Sequence, residues 1–172
     1  NRMKIIRQEN NETIFPYIAY IPDNISSHPA LLIQLHGAGE RGNGGNEIDK
    51  VLIHGFPNIV NDSNLNNCIL IMPQCPVNSF WVAKIESIRK FIDEMILEFS
   101  VDTNRIYLCG LSMGGFGTWY TAMAYPELFA AAFPICPAWA PSDEMLEKIK
   151  DMPCGKNVIL VLSMSNPLPL IK

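Results

Sequence analysis

The chain has 172 residues, a length that suits one domain with a substantial hydrophobic core. Its composition, 48% hydrophobic and 17% charged, excludes an intrinsically disordered protein. The net charge of −4 provides no basic surface for nucleic acid or anionic membranes, so we expect neither partner.

The pattern of the first half of the chain predicts strands separated by loops. Apolar runs predict strands at residues 4–8, 17–21, 30–35 and 68–72. The third run is continuous, which is typical of a strand covered on both faces. A loop rich in glycine and asparagine follows it, and apolar residues then recur at helical spacing from Ile48 to Ile59, although Pro57 would break that helix early.

The second half alternates helices with strands. A helix with one apolar face is predicted at 84–99, and a strand–helix–strand series follows at 105–109, 114–125 and 130–136. A short helix at 142–150 and a strand at 158–162 complete the pattern. Alternating strands and helices predict an α/β fold with a mostly parallel sheet flanked by helices.

One stretch is long enough to cross a bilayer, since residues 106–126 carry no charge. It also contains four glycines and several hydroxyl side chains. This mixture favours a buried strand that turns into a buried helix, and we therefore expect no membrane span.

The pentapeptide from Gly110 to Gly114 has the pattern G-x-S-x-G, with Ser112 at its centre. It follows a predicted strand and precedes a predicted helix, which is the context in which a sharp turn projects a serine hydroxyl above a sheet. The two glycines leave room at this turn, and the helix N-terminus favours negative charge. The alternative is a glycine-rich turn with an incidental serine.

A second glycine-rich segment, His36 to Gly42, follows the strand at 30–35. Its backbone N–H groups, together with that of Met113, are able to form an oxyanion hole. The alternatives are a plain loop or a phosphate-binding loop, and the latter lacks the Gly-Lys-Ser/Thr signature. We expect His36 to anchor the loop rather than to act as a base.

Three residues in loops are candidates for a substrate pocket, namely Gly39, Trp81 and Trp139. The tryptophans would offer an aromatic platform for an acyl or aryl group, and ordinary packing is the competing interpretation. Glu40 and Arg41 either pair to stiffen the glycine-rich loop or are solvated.

The five cysteines form no CxxC pair, and no His/Cys/Asp cluster has metal-ligand spacing. We therefore expect no metal, no other cofactor and no disulfide framework, with Cys109 and Cys136 as inert core thiols. Isolated thiols indicate a cytoplasmic protein, or a secreted one if a leader has been removed.

The motifs HGAGERG (36–42), MPQCP (72–76) and NRIYLCGLSMGGFGT (104–118), in this order, resemble those of a known group. It comprises the α/β-hydrolases of the phospholipase/carboxylesterase and predicted-peptidase type, with feruloyl esterases and polyhydroxybutyrate depolymerases close by. The resemblance covers about residues 15–160. It implies a serine esterase acting on small-molecule esters, with Ser112 as nucleophile and the N–H groups of Ala38 and Met113 as oxyanion donors.

The chain departs from this group in its histidines. They are His28, His36 and His54, and none follows Ser112, whereas the group places its acid and histidine after the serine. We therefore expect residues 1–172 to form a single incomplete domain that lacks the last strand and helix. An exposed edge at 158–162 would then favour self-association.

The alternatives for function are a catalytically silent domain that binds or scaffolds, and a serine peptidase or thioesterase with the same nucleophile.

Overall fold

The computed structural model describes residues 3–136, 157–158 and 161–162, and these form one sheet flanked by helices. The strands are β1 (Lys4–Gln8), β2 (Tyr17–Ile21), β3 (Ala30–Leu35), β4 (Cys68–Pro73), β5 (Ile106–Leu111), β6 (Ala131–Cys136), β7 (Asn157–Val158) and β8 (Val161–Leu162). Their spatial order is β1-β2-β4-β3-β5-β6, and both β7 and β8 pair with β6.

The sheet is mostly parallel, as the sequence predicts. β1, β2 and β4 pair antiparallel, whereas β4, β3, β5 and β6 are parallel neighbours, and β7 and β8 continue parallel to β6. The carboxyl ends of β3, β5 and β6 therefore meet at one edge, where Leu35, Gly110 and Pro134 lie in register. This edge holds the candidate site.

Three α-helices lie in the described part of the chain: α1 (Asp62–Leu65), α2 (Ile85–Phe99) and α3 (Met113–Ala124). A 3₁₀ turn, Trp81–Lys84, leads directly into α2. The predicted helices at 84–99 and 114–125 are thus confirmed to within a residue. The uncharged stretch 106–126 consists of β5 and α3, as expected. No helix among the described residues is long and apolar enough to span a membrane.

The helical spacing from Ile48 to Ile59 does not form an α-helix. It forms two 3₁₀ segments, Gly45–Leu52 and Phe56–Asn58, separated by Gly55 at φ +80°. A positive φ ends a right-handed helix, so the apolar residues of this stretch cover the sheet in two short pieces.

The two faces of the sheet bury separate apolar clusters, because alternate strand residues point to opposite faces. On the face with α2 and α3, Leu31, Ile33 and Leu35 of β3 pack with the apolar stripe of α2. On the other face, Leu70 and Met72 of β4 pack beneath the 3₁₀ segments. α3 is apolar around its circumference, which suits its burial against β5, β6 and α2.

The predicted helix at 142–150 lies outside the described residues. Of the strand predicted at 158–162, the described residues Val158, Val161 and Leu162 pair with β6. Self-association through this strand stays a prediction.

Candidate active site

Ser112 lies between β5 and α3, in a backbone conformation that few side chains adopt. Its φ is +56° and its ψ is −115°, and it directly precedes the first residue of α3. A non-glycine residue held in such a region costs on the order of 1–3 kcal/mol and persists only where its surroundings impose it. Here the Ser112 N–H donates to the Ile135 carbonyl (2.7 Å) and the Ser112 carbonyl accepts from Phe116 (3.1 Å).

The glycines of the pentapeptide are required by close packing of backbone on backbone. A Cβ at Gly114 would overlap the carbonyl oxygen of Leu35, and a Cβ at Gly110 would overlap that of Gly114. Only hydrogen atoms fit at these positions, so α3 starts directly against the carboxyl ends of β3 and β5. The context predicted for G-x-S-x-G, a strand followed by a sharp turn and a helix, is confirmed.

The loop after β3 reaches the same place. A Cβ built on Gly37 would lie 3.8 Å from the Cβ of Ser112 and 3.6 Å from the Leu111 carbonyl oxygen. Ala38 comes next and is exposed. Met113 is the first residue of α3, a position where the backbone N–H has no acceptor within its own helix. The described chain thus places Gly37, the neighbour of Ala38, against Ser112, and Met113 follows Ser112 directly.

His36 is a buried structural residue of this loop. Its Nδ1 lies 2.6 Å from the Gly37 carbonyl oxygen, and its Nε2 accepts from the Cys75 N–H at 2.9 Å. This pair of bonds suits the neutral ring, with the proton on Nδ1. The pKa of His36 is lowered to about 4, mainly by burial and to a smaller extent by the nearby Arg41 guanidinium, against the opposing effect of the Gly37 bond. The prediction that His36 anchors the loop is confirmed.

Trp81 does not line the cavity beside β3 and β5 that is described below. It is fully buried, its Nε1 donates to the His36 carbonyl (2.9 Å), and its ring stacks edge-on against Phe15 at 5.3 Å. Trp81 precedes α2 rather than lying in an open loop, so the ring turns into the core and the packing interpretation is correct. Gly39 is exposed and does not line the cavity described below. Trp139 lies outside the described residues.

Arg41 and Glu40 do not pair with each other. Arg41 donates from Nε to the Ala38 carbonyl (2.9 Å) and from an Nη to the Ser79 carbonyl (3.1 Å), which ties the loop to the segment before α2. The largely buried Glu40 carboxyl instead lies 3.6 Å from Nε2 of the half-exposed His54. Arg41 therefore stiffens the loop through carbonyl oxygens, because the two side chains point to different neighbours.

An apolar cavity of about 410 Å³ opens at the carboxyl ends of β3, β5 and β6, where it is lined by Leu111 and Gly37, the neighbours of Ser112. One wall is the sheet, through Cys109, Leu111 and Ile135, and the opposite wall comes from the 3₁₀ segments. The residues contributed by that opposite wall are Val51, His54, Gly55, Phe56 and Ile59.

The buried amide of Gln34 holds the opposite wall in place. It donates to the His54 carbonyl (3.0 Å) and accepts from the Phe56 N–H (2.7 Å), so it bonds both sides of Gly55. The sequence analysis missed this wall, although Gly55 interrupting an apolar helical spacing was the available signal.

Comparison with known proteins finds esterases among those to which this chain is similar. The chain is 26% identical over 133 residues to feruloyl esterase B of Neurospora crassa and 28% identical over 127 residues to acetylxylan esterase A of Emericella nidulans, in each case over 71% of this chain. It spans less than half the length of these relatives, 44% and 42% respectively. No family model matches.

Among solved structures, a thermostable esterase superposes with a TM-score of 0.58 and 34% identity, over 92% of this chain and 45% of that one. The fold is that of an α/β-hydrolase, and the chain is similar to the esterases of that group.

The three histidines of this α/β-hydrolase chain lie in different places relative to Ser112. His28 precedes β3 and therefore lies at the opposite edge of the sheet, with Nδ1 against the Ser100 carbonyl oxygen at 3.0 Å. His36 has both ring nitrogens engaged. His54 faces the cavity beside Glu40.

The described cysteines are free thiols of low reactivity. Burial raises the pKa of Cys68 and Cys75 to about 11 and that of Cys109 to about 12. The thiolate is the nucleophilic form, so these groups are inert near neutral pH. The prediction for Cys109 is confirmed, whereas the side chain of Cys136 lies outside the described part of the chain.

Proposed function

We propose that the protein is a serine hydrolase of carboxylic esters, in which Ser112 forms the acyl-enzyme. The observation that carries the proposal is the strained Ser112 backbone at the strand–helix turn, with Gly37 packed against it. Such a turn holds a hydroxyl in one orientation, and strain of this kind is typical of functional sites.

In the reaction, Ser112 Oγ attacks the ester carbonyl carbon, and the electron pair of the carbonyl moves onto its oxygen. The N–H groups of Ala38 and Met113 donate to that oxyanion, and the N-terminus of α3 adds a favourable dipole. Collapse of the intermediate expels the alcohol, which takes up the proton that the serine has lost. Water then attacks the acyl-enzyme, releasing the acid and restoring Ser112.

The size and lining of the cavity near Ser112 suit an uncharged, apolar acyl group, which we propose as the part of the substrate that binds there. Its 410 Å³ lies within the range of about 300–1,000 Å³ typical of small-molecule sites. Phe56, Ile59 and Glu40 line it, and the Glu40 carboxyl disfavours an anionic group. The relatives are named as feruloyl and acetylxylan esterases, which act on esters with acyl groups of different size.

A base must also accept the Ser112 proton, since a lone serine hydroxyl is a poor nucleophile. His28 lies at the wrong edge of the sheet and His36 is fully bonded, so neither suits this role, whereas His54 lines the cavity. Because no histidine follows Ser112 in the sequence, we expect the chain alone to hydrolyse activated esters weakly. Binding and oxyanion donors without a complete triad still leave about 10³–10⁴-fold acceleration over water.

The test is covalent labelling by a fluorophosphonate probe, mapped by peptide mass spectrometry. We expect labelling of Ser112, its loss in Ser112→Ala, and unchanged labelling in the control Ser63→Ala, which alters an exposed serine on α1. Labelling of another serine with Ser112 untouched, or no labelling after prolonged incubation, would refute the proposal.

The substrate class is tested with p-nitrophenyl acetate, the matching anilide and an acetyl thioester. Turnover of the ester alone supports an esterase. Faster turnover of the anilide would indicate a peptidase, and faster turnover of the thioester would indicate a thioesterase. Turnover of none, with Ser112 still labelled, would indicate a silent hydrolase-like domain.

A further inference from the structure

We propose that Gln74 is a positioning residue for the reaction of Ser112, because its buried amide holds the glycine-rich loop that carries the Ala38 N–H. The inference rests on the proposed function. It concerns a residue in the MPQCP segment for which neither the sequence motifs nor the site described so far provides a role.

The Gln74 side chain makes three hydrogen bonds, all to residues between 40 and 47, in the glycine-rich loop and the 3₁₀ segment that follows it. Its Nε2 donates to the carbonyls of Glu40 (3.1 Å) and Glu47 (2.9 Å), and its Oε1 accepts from the Gly44 N–H (2.9 Å). The side chain is fully buried, and its own backbone N–H donates to the Pro16 carbonyl at 2.8 Å. One amide thus links the end of β4 to three points of the loop.

Cys75, the next residue along the chain, makes further hydrogen bonds to the same loop. Cys75 donates its N–H to His36 Nε2 (2.9 Å) and accepts from the Gly42 N–H at its carbonyl (3.0 Å). Gln74 and Cys75 together therefore bond the loop at residues 36, 40, 42, 44 and 47. Ala38 lies midway in the first span, between the bonded points at His36 and Glu40.

The loop needs such a support because of its composition. Five of the nine residues from 37 to 45 are glycine, and glycine loses more conformational freedom on ordering than any other residue. A displacement of about 1 Å in a group that positions the reaction is able to cost on the order of 10² in rate. The fit is also close, since a Cβ at Gly42 would lie 2.7 Å from the Gln74 amide carbon.

The chemistry of the amide suits this position better than any isostere. Gln74→Met keeps the approximate size but removes all three bonds and leaves two carbonyls and one N–H without their partner. Gln74→Glu keeps the acceptor for Gly44 but turns the donor into an oxygen that faces the Glu40 and Glu47 carbonyls. Gln74→Glu is therefore predicted to move the loop even where the protein folds.

The experiment measures kcat and KM for p-nitrophenyl acetate, and inhibition by an alkyl boronic acid that forms a tetrahedral adduct on serine. For Gln74→Met and Gln74→Glu we expect kcat to fall by about 10–10²-fold with KM within about twofold. Inhibition by the boronic acid should weaken by a similar factor. If Gln74→Met does not fold, Gln74→Glu and the shorter amide of Gln74→Asn provide the same readout.

The matched control is Asp102→Ala. Asp102 precedes β5 at the opposite edge of the sheet, where it pairs with Arg105 at 2.8 Å and accepts from the Asn104 N–H at 2.9 Å. This variant lowers stability without touching the loop, so its kcat should remain that of the wild type. Circular dichroism sets the assay temperature at which every variant is folded.

Two outcomes separate the possible failures. If the fluorophosphonate probe labels Ser112 but folded Gln74 variants keep the wild-type kcat and boronic acid inhibition, the role of Gln74 is refuted and the proposed function stands. If the probe leaves Ser112 unlabelled, the proposed function is wrong, and the role of Gln74 falls with it.

Discussion

Replacing His36 with glutamine should remove a pH dependence of stability that the wild-type fold carries. In the folded chain the His36 pKa is about 4, against an ordinary value of 6.5, because burial disfavours the imidazolium. Between these two values the unfolded chain binds a proton that the folded chain does not. The free energy of unfolding therefore falls as the pH is lowered from about 6.5 to 4, and this loss is complete below pH 4.

The size of the effect follows from the shift. One pKa unit corresponds to about 1.4 kcal/mol, so the shift of His36 amounts to about 3 kcal/mol between pH 6.5 and 4. His36→Gln retains an acceptor for the Cys75 N–H but loses the bond to the Gly37 carbonyl, which costs about 1–3 kcal/mol at pH 7. The variant should thus be less stable at pH 7 and approach the wild type near pH 4.

Urea unfolding followed by tryptophan fluorescence, at half-unit steps from pH 7 to 4, measures this difference. The carboxyl groups titrate alike in both proteins, so their contribution cancels in the comparison. Parallel stability curves for the wild type and His36→Gln across this range would refute the structural role of a buried, neutral His36.

Three further outcomes follow from the same structure. Ala38→Pro removes the proposed oxyanion donor, so steady-state kinetics should show a kcat that is lower by about 10²–10³-fold with little change in KM. An unchanged kcat in a folded variant would contradict the role of the Ala38 N–H as oxyanion donor. Gly114→Ala places a Cβ on the Leu35 carbonyl oxygen and should lower the free energy of unfolding by at least about 1–3 kcal/mol, whereas wild-type stability in urea would show that the turn relaxes freely. Phe56→Ala removes apolar surface from the cavity, so the KM for p-nitrophenyl hexanoate should rise by roughly tenfold while the KM for the acetate stays constant. An equal change in KM for both esters would exclude the cavity as the acyl site.

Much of the fold could be predicted because its signals are local. Continuous apolar runs mark strands covered on both faces, and the apolar stripe of α2 marks a helix on one side of the sheet. The turn at Ser112 was also predictable, because Gly110 and Gly114 flank a serine between a strand and a helix. These features depend on neighbours within a few residues.

The stretch from Ile48 to Ile59 was predicted less well, because its spacing is helical but Gly55 takes a positive φ. The turn at Gly55 is held by Gln34, a residue 21 positions earlier whose amide bonds His54 and Phe56 on both sides of the turn. Trp81 shows the same limit, since the sequence left a place in a substrate pocket open beside ordinary packing. Its hydrogen bond to the His36 carbonyl and its ring contact with Phe15 lie in the core.

The sequence by itself determined the order of the main strands and of the two long helices, the sharp turn at Ser112 and the glycine-rich loop next to it. Only the tertiary structure decided which polar side chains hold that loop and which apolar ones surround the cavity. Gln74 and Glu40 are separated by 34 positions, and no periodicity or motif links them. Their contact exists because β4 and β3 are adjacent parallel strands whose carboxyl ends meet at one edge, where buried hydrogen-bonding groups must find partners across loops.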